Sequence, residues 1–145
     1  MAFLSSLSIS GSGLTASRLR MDIISENISN QETTRAANGE PYRRKMVVYE
    51  PIQDNSFRSM MNKNIYQSGK KGVRVAKILE DETPFTPVYR PDHPDADENG
   101  YVMMPNVDPV KETLDMMAAT RAYEANLTAF NAVKTMASKA LELGR

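Results

Sequence analysis

The last third of the chain carries the clearest pattern, an unbroken helical spacing of apolar residues. From Asp108 to about Leu143 there is no glycine and only one proline, Pro109, at the position where a helix tolerates it. Asp108 can cap the first turn, and Glu112 lies where the positive end of the helix dipole favours an acidic side chain. The pattern predicts a helix of about 35 residues, on the order of 50 Å long. Helices of that length are uncommon in compact domains of this size and indicate a coiled coil or an assembly.

The apolar face of this C-terminal helix is four rows wide, which is more than the seam of a two-stranded coiled coil needs. A face this broad is expected to contact more than one neighbour. Asn126 lies within one of the apolar rows. It either fixes the register of a buried contact or faces solvent, and the pattern leaves both readings open. We expect subunit contacts at Met116, Tyr123, Asn126, Leu127, Phe130, Val133 and Leu141.

A second amphipathic segment runs from Ser5 to about Asn30, with apolar residues repeating at sevens. Gly11 and Gly13 weaken its first turns by roughly 1 kcal/mol each relative to alanine, so the helix is expected to be firm only after Gly13. Asn30 is expected to end the helix in the left-handed conformation that asparagine tolerates. The residues expected in subunit contacts here are Leu7, Leu14, Met21, Asn27, Ile28 and Asn30.

The middle of the chain, from about Asn38 to Asn106, has the composition of extended structure. Three runs predict strands, at Tyr42–Glu50, Gly72–Leu79 and Tyr101–Met104. Five prolines from Thr83 to Pro105 exclude a long helix or a central strand there. Loops are expected at about 53–72 and 81–100. The turn at 68–72 carries two lysines but lacks the spacing of a phosphate-binding loop.

These patterns predict a mainly α fold with a small β-rich middle. The long N- and C-terminal helices are expected to pack as a coiled coil, with an irregular β-hairpin and loop segment inserted between them. The corresponding division is 1–35 for the N-terminal axial helix, 36–106 for the middle segment and 107–145 for the C-terminal axial helix. Both termini together would form one axial domain. Because a lone helix pair buries its apolar side chains on one side only, the isolated chain is expected to be marginally stable.

Composition excludes several classes of protein. The 145-residue chain has 18 basic and 18 acidic side chains, so it has no overall field that attracts nucleic acid or an anionic membrane. It contains no cysteine, which excludes disulfides, thiolate zinc sites and a cysteine nucleophile. The first ten residues lack both the basic region and the continuous apolar run of a secretory signal or a membrane span. Any export of the chain is therefore expected to use another route.

The acidic loop around the single histidine is the one segment that resembles a metal site. Asp95, Asp97, Asn99 and Gly100 match positions 1, 3, 5 and 6 of a calcium loop, whereas position 12 is Asn106 instead of a bidentate glutamate. We therefore favour a proline-pinned, hydrogen-bonded loop, with a cation-binding or catalytic module on this loop left as an alternative. The histidine has no histidine partner for a zinc or relay site. No catalytic, metal-binding or cofactor-binding residues are expected.

Short motifs along essentially the whole chain resemble those of bacterial flagellar basal-body rod proteins. At the N-terminus the motifs are Gly13-Leu14-Thr15-Ala16, Asn27-Ile28-Ser29-Asn30 and Thr33-Thr34, with Ser29 at a position where the family usually has alanine. The middle and the end resemble the proximal-rod type of this family at Gly72-Val73-Arg74-Val75, Tyr89-Arg90-Pro91-Asp92-His93-Pro94-Asp95-Ala96-Asp97, Gly100-Tyr101-Val102, Pro105-Asn106-Val107-Asp108, Asp115-Met116 and Arg121-Ala122-Tyr123-Glu124-Ala125-Asn126.

The resemblance implies a structural subunit of the flagellar rod, exported unfolded by the flagellum-specific type III apparatus without a cleaved signal peptide. Terminal helices of such subunits pack in concentric coiled-coil layers in the periplasm, and torque passes through them. The implied partners are further copies of the chain, other rod proteins, a rod-to-ring adaptor and the export apparatus. No nucleic acid, small-molecule substrate or membrane span is implied. A generic coiled-coil adaptor, or a needle-type component of another export machine, is the alternative.

Overall fold

The computed structural model describes residues 2–36, 38–52 and 72–143. In this part of the chain four short strands lie in sequence between two long helices. In chain order the elements are α1 Ala2–Ser29, β1 Lys45–Pro51, β2 Val73–Glu80, β3 Thr86–Tyr89, β4 Tyr101–Met104 and α2 Pro109–Leu143. The prediction of a mainly α fold with a small β-rich middle is confirmed. The predicted loop at 53–72 and the turn at 68–72 lie outside the described residues, apart from Gly72.

The start of α2 is the one that the sequence predicts. Asp108 Oδ1 accepts hydrogen bonds from the backbone N–H groups of Val110 at 2.9 Å and Lys111 at 3.4 Å. The backbone N–H of Glu112 donates to the Asp108 carbonyl at 2.9 Å, as the first intrahelical bond. Two of the N–H groups that a helix start leaves without partners are therefore satisfied by the capping side chain.

Helix α1 is longer than the sequence predicts. It runs without interruption from Ala2 to Ser29 and includes both glycines. The expectation that the helix is firm only after Gly13 concerns its stability and stays a prediction. Gly13 lies close to the side chain of Asn126, where a Cβ atom would collide with the amide. Among the described residues, none lies within 4 Å of a Cβ added at Gly11, so the other glycine has no comparable reason.

The strands form two separate two-stranded pairs, β1 with β2 and β3 with β4. The second pair is antiparallel, with Val88 opposite Val102 and Tyr89 opposite Tyr101. Strand β3 lies inside the segment that the sequence predicts as the loop 81–100, so that prediction is wrong in this stretch. The strand contains Pro87, which is tolerated because a strand paired on only one side need not donate every backbone N–H.

The chain divides into two compact units, each containing parts of both helices. We call residues 20–47 and 78–119 the core unit, and the described residues of 1–19, 48–77 and 120–145 the helical-end unit. The predicted division into 1–35, 36–106 and 107–145 follows the elements along the chain and stays a prediction.

Burial is very uneven between the two units. Among the side chains that the structure describes, the helical-end unit has one buried residue, Ala16. The buried residues of the core unit are Ile23, Ile24, Asn27, Tyr42, Val102, Pro105, Glu112 and Ala119. The core unit therefore has an interior of its own, whereas the helical-end unit leaves most of its apolar side chains accessible to solvent.

Candidate assembly site

Asn27 lies in the interior of the core unit with all four of its hydrogen-bonding positions occupied, and its side chain is 1% exposed. Its Nδ2 donates to the backbone carbonyl of Lys45 at 2.9 Å and to Oε2 of Glu112 at 3.0 Å. Its Oδ1 accepts from the Tyr42 hydroxyl and from the backbone N–H of Lys45, both at 2.9 Å. Because this set fixes which way the amide points, Asn27 joins α1, β1 and α2 in one arrangement.

Glu112 is the second member of this interior network, with a side chain that is 0% exposed. Its Oε1 accepts from Arg44 Nε at 2.6 Å. The Arg44 guanidinium also lies 3.4 Å from Asp115 and 3.7 Å from Asp81, and Arg20 Nη2 lies 3.0 Å from the other oxygen of Asp115. Removing one member of a buried ion pair leaves an uncompensated charge, so these contacts favour this arrangement of the unit over arrangements that would separate the partners.

The Asn106 side chain forms hydrogen bonds that join two backbone segments beside this network. Its Oδ1 accepts from the backbone N–H of Arg44 at 2.8 Å, and its Nδ2 donates to the carbonyl of Asp81 at 3.0 Å and to Oγ1 of Thr83 at 2.9 Å. A further backbone bond of 2.8 Å joins the Asp81 N–H to the Arg44 carbonyl. The chain entering β1 and the chain leaving β2 are thus held together. We call Asn27, Tyr42, Arg44, Asn106, Glu112 and Asp115 the polar core.

Two ionisable groups around the polar core have shifted titration behaviour. Burial raises the pKa of the Tyr42 phenol, and the carboxylates of Glu26, Glu112 and Glu80 raise it further. Tyr42 therefore keeps the proton that it donates to Asn27. At Asp81, hydrogen bonds from the backbone N–H and then the side chain of Thr83 lower the pKa of the carboxyl, as hydrogen bonding to the charged form does.

The sequence interpretation missed the parts that Glu112, Arg44 and Tyr42 play in this core. The sequence alone gives Glu112 only a favourable interaction with the helix dipole, a role that any exposed first-turn acid could fill. One signal was present: Glu112 precedes Ala119 by seven residues and so lies in line with an apolar row of α2. An acidic residue in line with such a row indicates a buried partner, but the sequence does not identify that partner as Arg44.

The residues predicted as contacts on α1 fall into two groups. Leu7, Leu14, Met21, Ile28 and Asn30 are half-buried, whereas Asn27 is buried within the core unit. The expectation that Asn30 ends α1 in the left-handed conformation is wrong, since every positive φ among the described residues belongs to a glycine. Asn30 instead donates from Nδ2 to the Glu26 carbonyl at 2.9 Å and accepts from the Thr33 hydroxyl at 3.1 Å. Its side chain thus satisfies the end of α1 without a left-handed backbone.

The predicted contact residues on α2 lie along the length of the helix. Leu141 is 75% exposed, and Leu127 is exposed as well. The others are half-buried, namely Met116 in the core unit and Tyr123, Asn126, Phe130 and Val133 in the helical-end unit. A helix of a finished core would not leave its last leucine so accessible, so this end of α2 has apolar area available for contacts beyond the chain.

Asn126 and Gly13 form a close approach of the two helices within the helical-end unit. A Cβ added to Gly13 would lie 2.8 Å from Asn126 Oδ1 and 3.0 Å from its Cγ, a distance that real Cβ atoms do not show. Asn126 also donates from Nδ2 to the Ala122 carbonyl at 2.9 Å. Within the chain this side chain is half-buried against the neighbouring helix, and its part in fixing the register of a subunit contact stays a prediction.

Ser12 holds the start of β2 on α1 in the same unit. Its Oγ donates to the Ile9 carbonyl at 2.7 Å and accepts from the backbone N–H of Val73 at 3.1 Å. Gly72, just before the strand, has φ +113°, and a Cβ there would collide with Ser12 Oγ. A residue with a side chain is therefore excluded at Gly72 on two grounds, its backbone conformation and the space available.

The acidic loop uses its carboxylates for its own structure. Asp97 Oδ1 accepts from the backbone N–H groups of Asn99 at 2.9 Å and Tyr101 at 2.8 Å. Asp95 Oδ2 accepts from the Thr34 hydroxyl at 2.8 Å. Over the described ranges, no three histidine or acidic side chains are grouped as metal ligands. This geometry agrees with the hydrogen-bonded loop that the sequence favours.

Comparison with known proteins places this architecture in a family. Residues 7–36 match the model described as flagella basal body rod protein, and residues 98–143 match the flagellar basal body rod FlgEFG protein C-terminal model. The chain belongs to the flagellar basal body rod protein family. It is 52% identical to the flagellar basal-body rod protein FlgC of Bacillus subtilis over 97% of both chains.

Two further relatives cover almost the same span. The FlgC proteins of Borreliella burgdorferi and Salmonella typhimurium are 42% and 38% identical, over 99% and 100% of this chain. The resemblance seen in the sequence motifs is therefore confirmed. No helix among the described residues is long and apolar enough to cross a membrane.

Proposed function

We propose that this chain is a structural subunit of the proximal part of the flagellar basal-body rod, and not an enzyme. The observation that carries the proposal is the uneven burial, with a core unit that has its own interior and a helical-end unit that has one buried side chain among those described. The FlgC relatives, which match along nearly the full chain, support the location in the rod.

The helical-end unit is the part that assembles. Leu4 and Met136 are 64% and 61% exposed, and Leu141 is more exposed still. Coiled-coil packing of α1 and α2 with the helices of neighbouring subunits would cover these side chains, and each fully buried leucine or methionine contributes about 1.5–3 kcal/mol. The predicted contacts at Leu7, Leu14, Tyr123, Leu127, Phe130 and Val133 belong to this packing.

The core unit gives each subunit a fixed shape. Asn27 and Glu112 act from its interior, so their part in assembly is to position the surfaces around them and not to contact a neighbour. Met21, Ile28, Asn30 and Met116 lie on the accessible part of the same unit. A network with two nearly inaccessible polar side chains resists deformation, which suits a component that passes torque along a shaft for motility.

The partners that follow from this role are further copies of the chain, other rod proteins, a rod-to-ring adaptor and the type III export apparatus. Export without a cleaved signal peptide and assembly in the periplasm complete the proposal. Because so few side chains are buried in the helical-end unit, its helices are expected to open easily. Easy opening would suit passage through a narrow channel in an unfolded state.

Replacing Phe130 by aspartate tests the role of the helical ends. The charge would be buried in the subunit contact, so we expect loss of swimming and of complete rods, while the variant is still exported at the wild-type level. The measurement combines swimming on soft agar, microscopy of isolated basal bodies and immunoblots of the exported subunit. Asn131→Asp is the matched control because Asn131 is exposed, and it should swim normally. Complete rods and normal swimming with Phe130→Asp would contradict the proposal.

A further inference from the structure

The β3–β4 hairpin carries an apolar face that the described part of its own chain does not cover. In the antiparallel register Pro87 lies opposite Met103 and Tyr89 opposite Tyr101. Side chains alternate along strands, so these four residues share one face, while Val88 and Val102 share the other. Val102 is buried, whereas Tyr89 is 64% exposed and Tyr101 and Met103 are close to half exposed. We call Pro87, Tyr89, Tyr101 and Met103 the outer hairpin face.

Contacts within the hairpin hold this face in one arrangement. The Tyr89 and Tyr101 rings meet edge to face with centroids 5.4 Å apart. The Arg90 N–H donates to the Gly100 carbonyl at 2.9 Å, and Gly100 has φ +80°. A Cβ at Gly100 would lie 2.9 Å from the Tyr89 ring, so the glycine lets the ring lie against the turn. Exposed aromatic side chains held in one geometry are typical of protein-binding surfaces, because little conformational entropy is lost on contact.

A second uncovered apolar surface lies at the start of α2. Val110, Leu114 and Met117 follow one another at spacings of four and three residues and form one line on the helix. Val110 is 69% exposed, and the other two are about half exposed. This line is about 10 Å long. The two residue pairs of the outer hairpin face, with their side chains, cover a similar length along the strands. We call these three residues the outer α2 ridge.

The balance of charge differs between the two surfaces. The turn between β3 and β4 carries the carboxylates of Asp92, Asp95, Asp97 and Glu98, and the basic side chains beside them are Arg90 and Arg35, which lies 3.9 Å from Asp95. At the start of α2 the exposed charged side chains are Lys111 and Asp108, and the Asp108 carboxylate caps the positive end of the helix; Glu112 is buried and Asp115 is paired with arginines. An excess of carboxylates beside one apolar face, and a lysine at the positive helix end beside the other, favour contact between the two surfaces.

We propose that the outer hairpin face of one copy docks on the outer α2 ridge of a second copy. This inference rests on the proposed function, which brings many copies together. Two different surfaces make the contact heterologous, so each copy keeps one surface available for the next, and such contacts build helical arrays when they do not close into a ring. The contact therefore gives the copies a direction along the assembly in addition to the packing of their helical ends.

Engineered cysteines test this pairing without background, because the chain has no cysteine of its own. One tagged copy carries Met103→Cys, a second, differently tagged copy carries Leu114→Cys, and both are expressed in the same cells. After mild oxidation of isolated rods, we expect a disulfide-linked dimer that carries both tags. Two cysteines bridge only when their Cα atoms lie within about 7 Å, so this dimer would show that the two surfaces are in contact. Each variant alone should stay monomeric, as should Met103→Cys combined with Glu142→Cys.

The possible outcomes separate the docking from the rod function. Absence of the wild-type chain from purified rods would overturn the proposed function itself. Presence of both variants in rods without the mixed dimer would overturn only the docking. A dimer from Met103→Cys alone, or a cross-link to a different protein, would show another occupant and also overturn it.

If the cysteine copies do not enter rods, a photoreactive benzophenone side chain at Tyr89 replaces them. We expect this side chain to cross-link to residues 110–117 of another copy, and a cross-link elsewhere would overturn the docking.

Discussion

Replacing Glu112 by alanine is expected to destabilise the core unit of the isolated subunit strongly. The carboxylate is fully buried and accepts hydrogen bonds from Arg44 at 2.6 Å and Asn27 at 3.0 Å. Its removal leaves two buried donors without an acceptor and reduces the charge compensation of Arg44. Breaking a buried pair in this way costs about 3–5 kcal/mol, a large share of the roughly 5–15 kcal/mol that stabilises an ordinary domain.

Glutamine at the same position is a sharper form of this prediction. Its carbonyl can still accept from Arg44, but its amide then points a donor at the Nδ2 donor of Asn27. Asn27 cannot turn round, because its Oδ1 accepts from Tyr42 and from the Lys45 backbone. We therefore expect Glu112→Gln to lose about 1–3 kcal/mol despite its identical size, which is the cost of an unsatisfied buried polar group.

Urea unfolding of the purified chain, followed by circular dichroism, measures both effects. Glu124→Gln is the control, since Glu124 is exposed on the same helix and should change the free energy of unfolding by no more than about 0.5 kcal/mol. A wild-type midpoint for Glu112→Gln would show that the polar core does not hold the unit together.

Replacing Gly13 by alanine is expected to reduce swimming. In an isolated helix the change would be favourable by about 1 kcal/mol, but here the added methyl group would lie 2.8 Å from Asn126 Oδ1. Overpacking typically costs about 1–3 kcal/mol, and every copy in the rod would carry it. Either the Asn126 amide turns away and loses its hydrogen bond to the Ala122 carbonyl, or the two helices move apart, and each of these changes the surface that a subunit offers to its neighbours.

Truncating the opposing side chain should relieve the collision. The double variant Gly13→Ala with Asn126→Ala is expected to swim better than Gly13→Ala alone, because the amide that meets the new methyl group is gone. Gly11→Ala is the matched control, since a Cβ at that position meets no described residue within 4 Å, and it should swim. Swimming diameters and rod counts decide the case. Normal swimming of Gly13→Ala, or no recovery in the double variant, would contradict the close approach.

The helices were predictable because their signals are local. The cap at Asp108 and the apolar spacing of α2 lie within one segment, and the structure starts the helix where they indicate. Strand β3 was missed because Pro87 weighs against a strand, and the sequence does not say that the strand would be paired on one side only. From the sequence alone, Gly13 indicates a loss of helix propensity. In the structure, the missing side chain at Gly13 leaves room for the Asn126 amide of α2.

The polar core could not be predicted for a different reason. Asn27 meets Lys45, 18 residues away, and Glu112, 85 residues away. Pairing at such separations is decided by the tertiary fold, and neither residue type nor spacing identifies the partner. The family motif that contains Asn27 marks the position but gives no reason for an asparagine there. The structure gives the reason, because the Asn27 amide donates two hydrogen bonds and accepts two at the same time.

Hydrogen exchange of the isolated full-length chain, read by mass spectrometry, shows whether the helical ends are protected without neighbouring subunits. We expect slow exchange around the buried side chains of residues 20–47 and 78–119, and fast exchange in α1 up to residue 19 and in α2 from residue 120. In assembled rods the same helical ends should become protected. Helical ends that are as well protected in the dilute, isolated subunit as the core unit would contradict the claim that neighbouring subunits complete them.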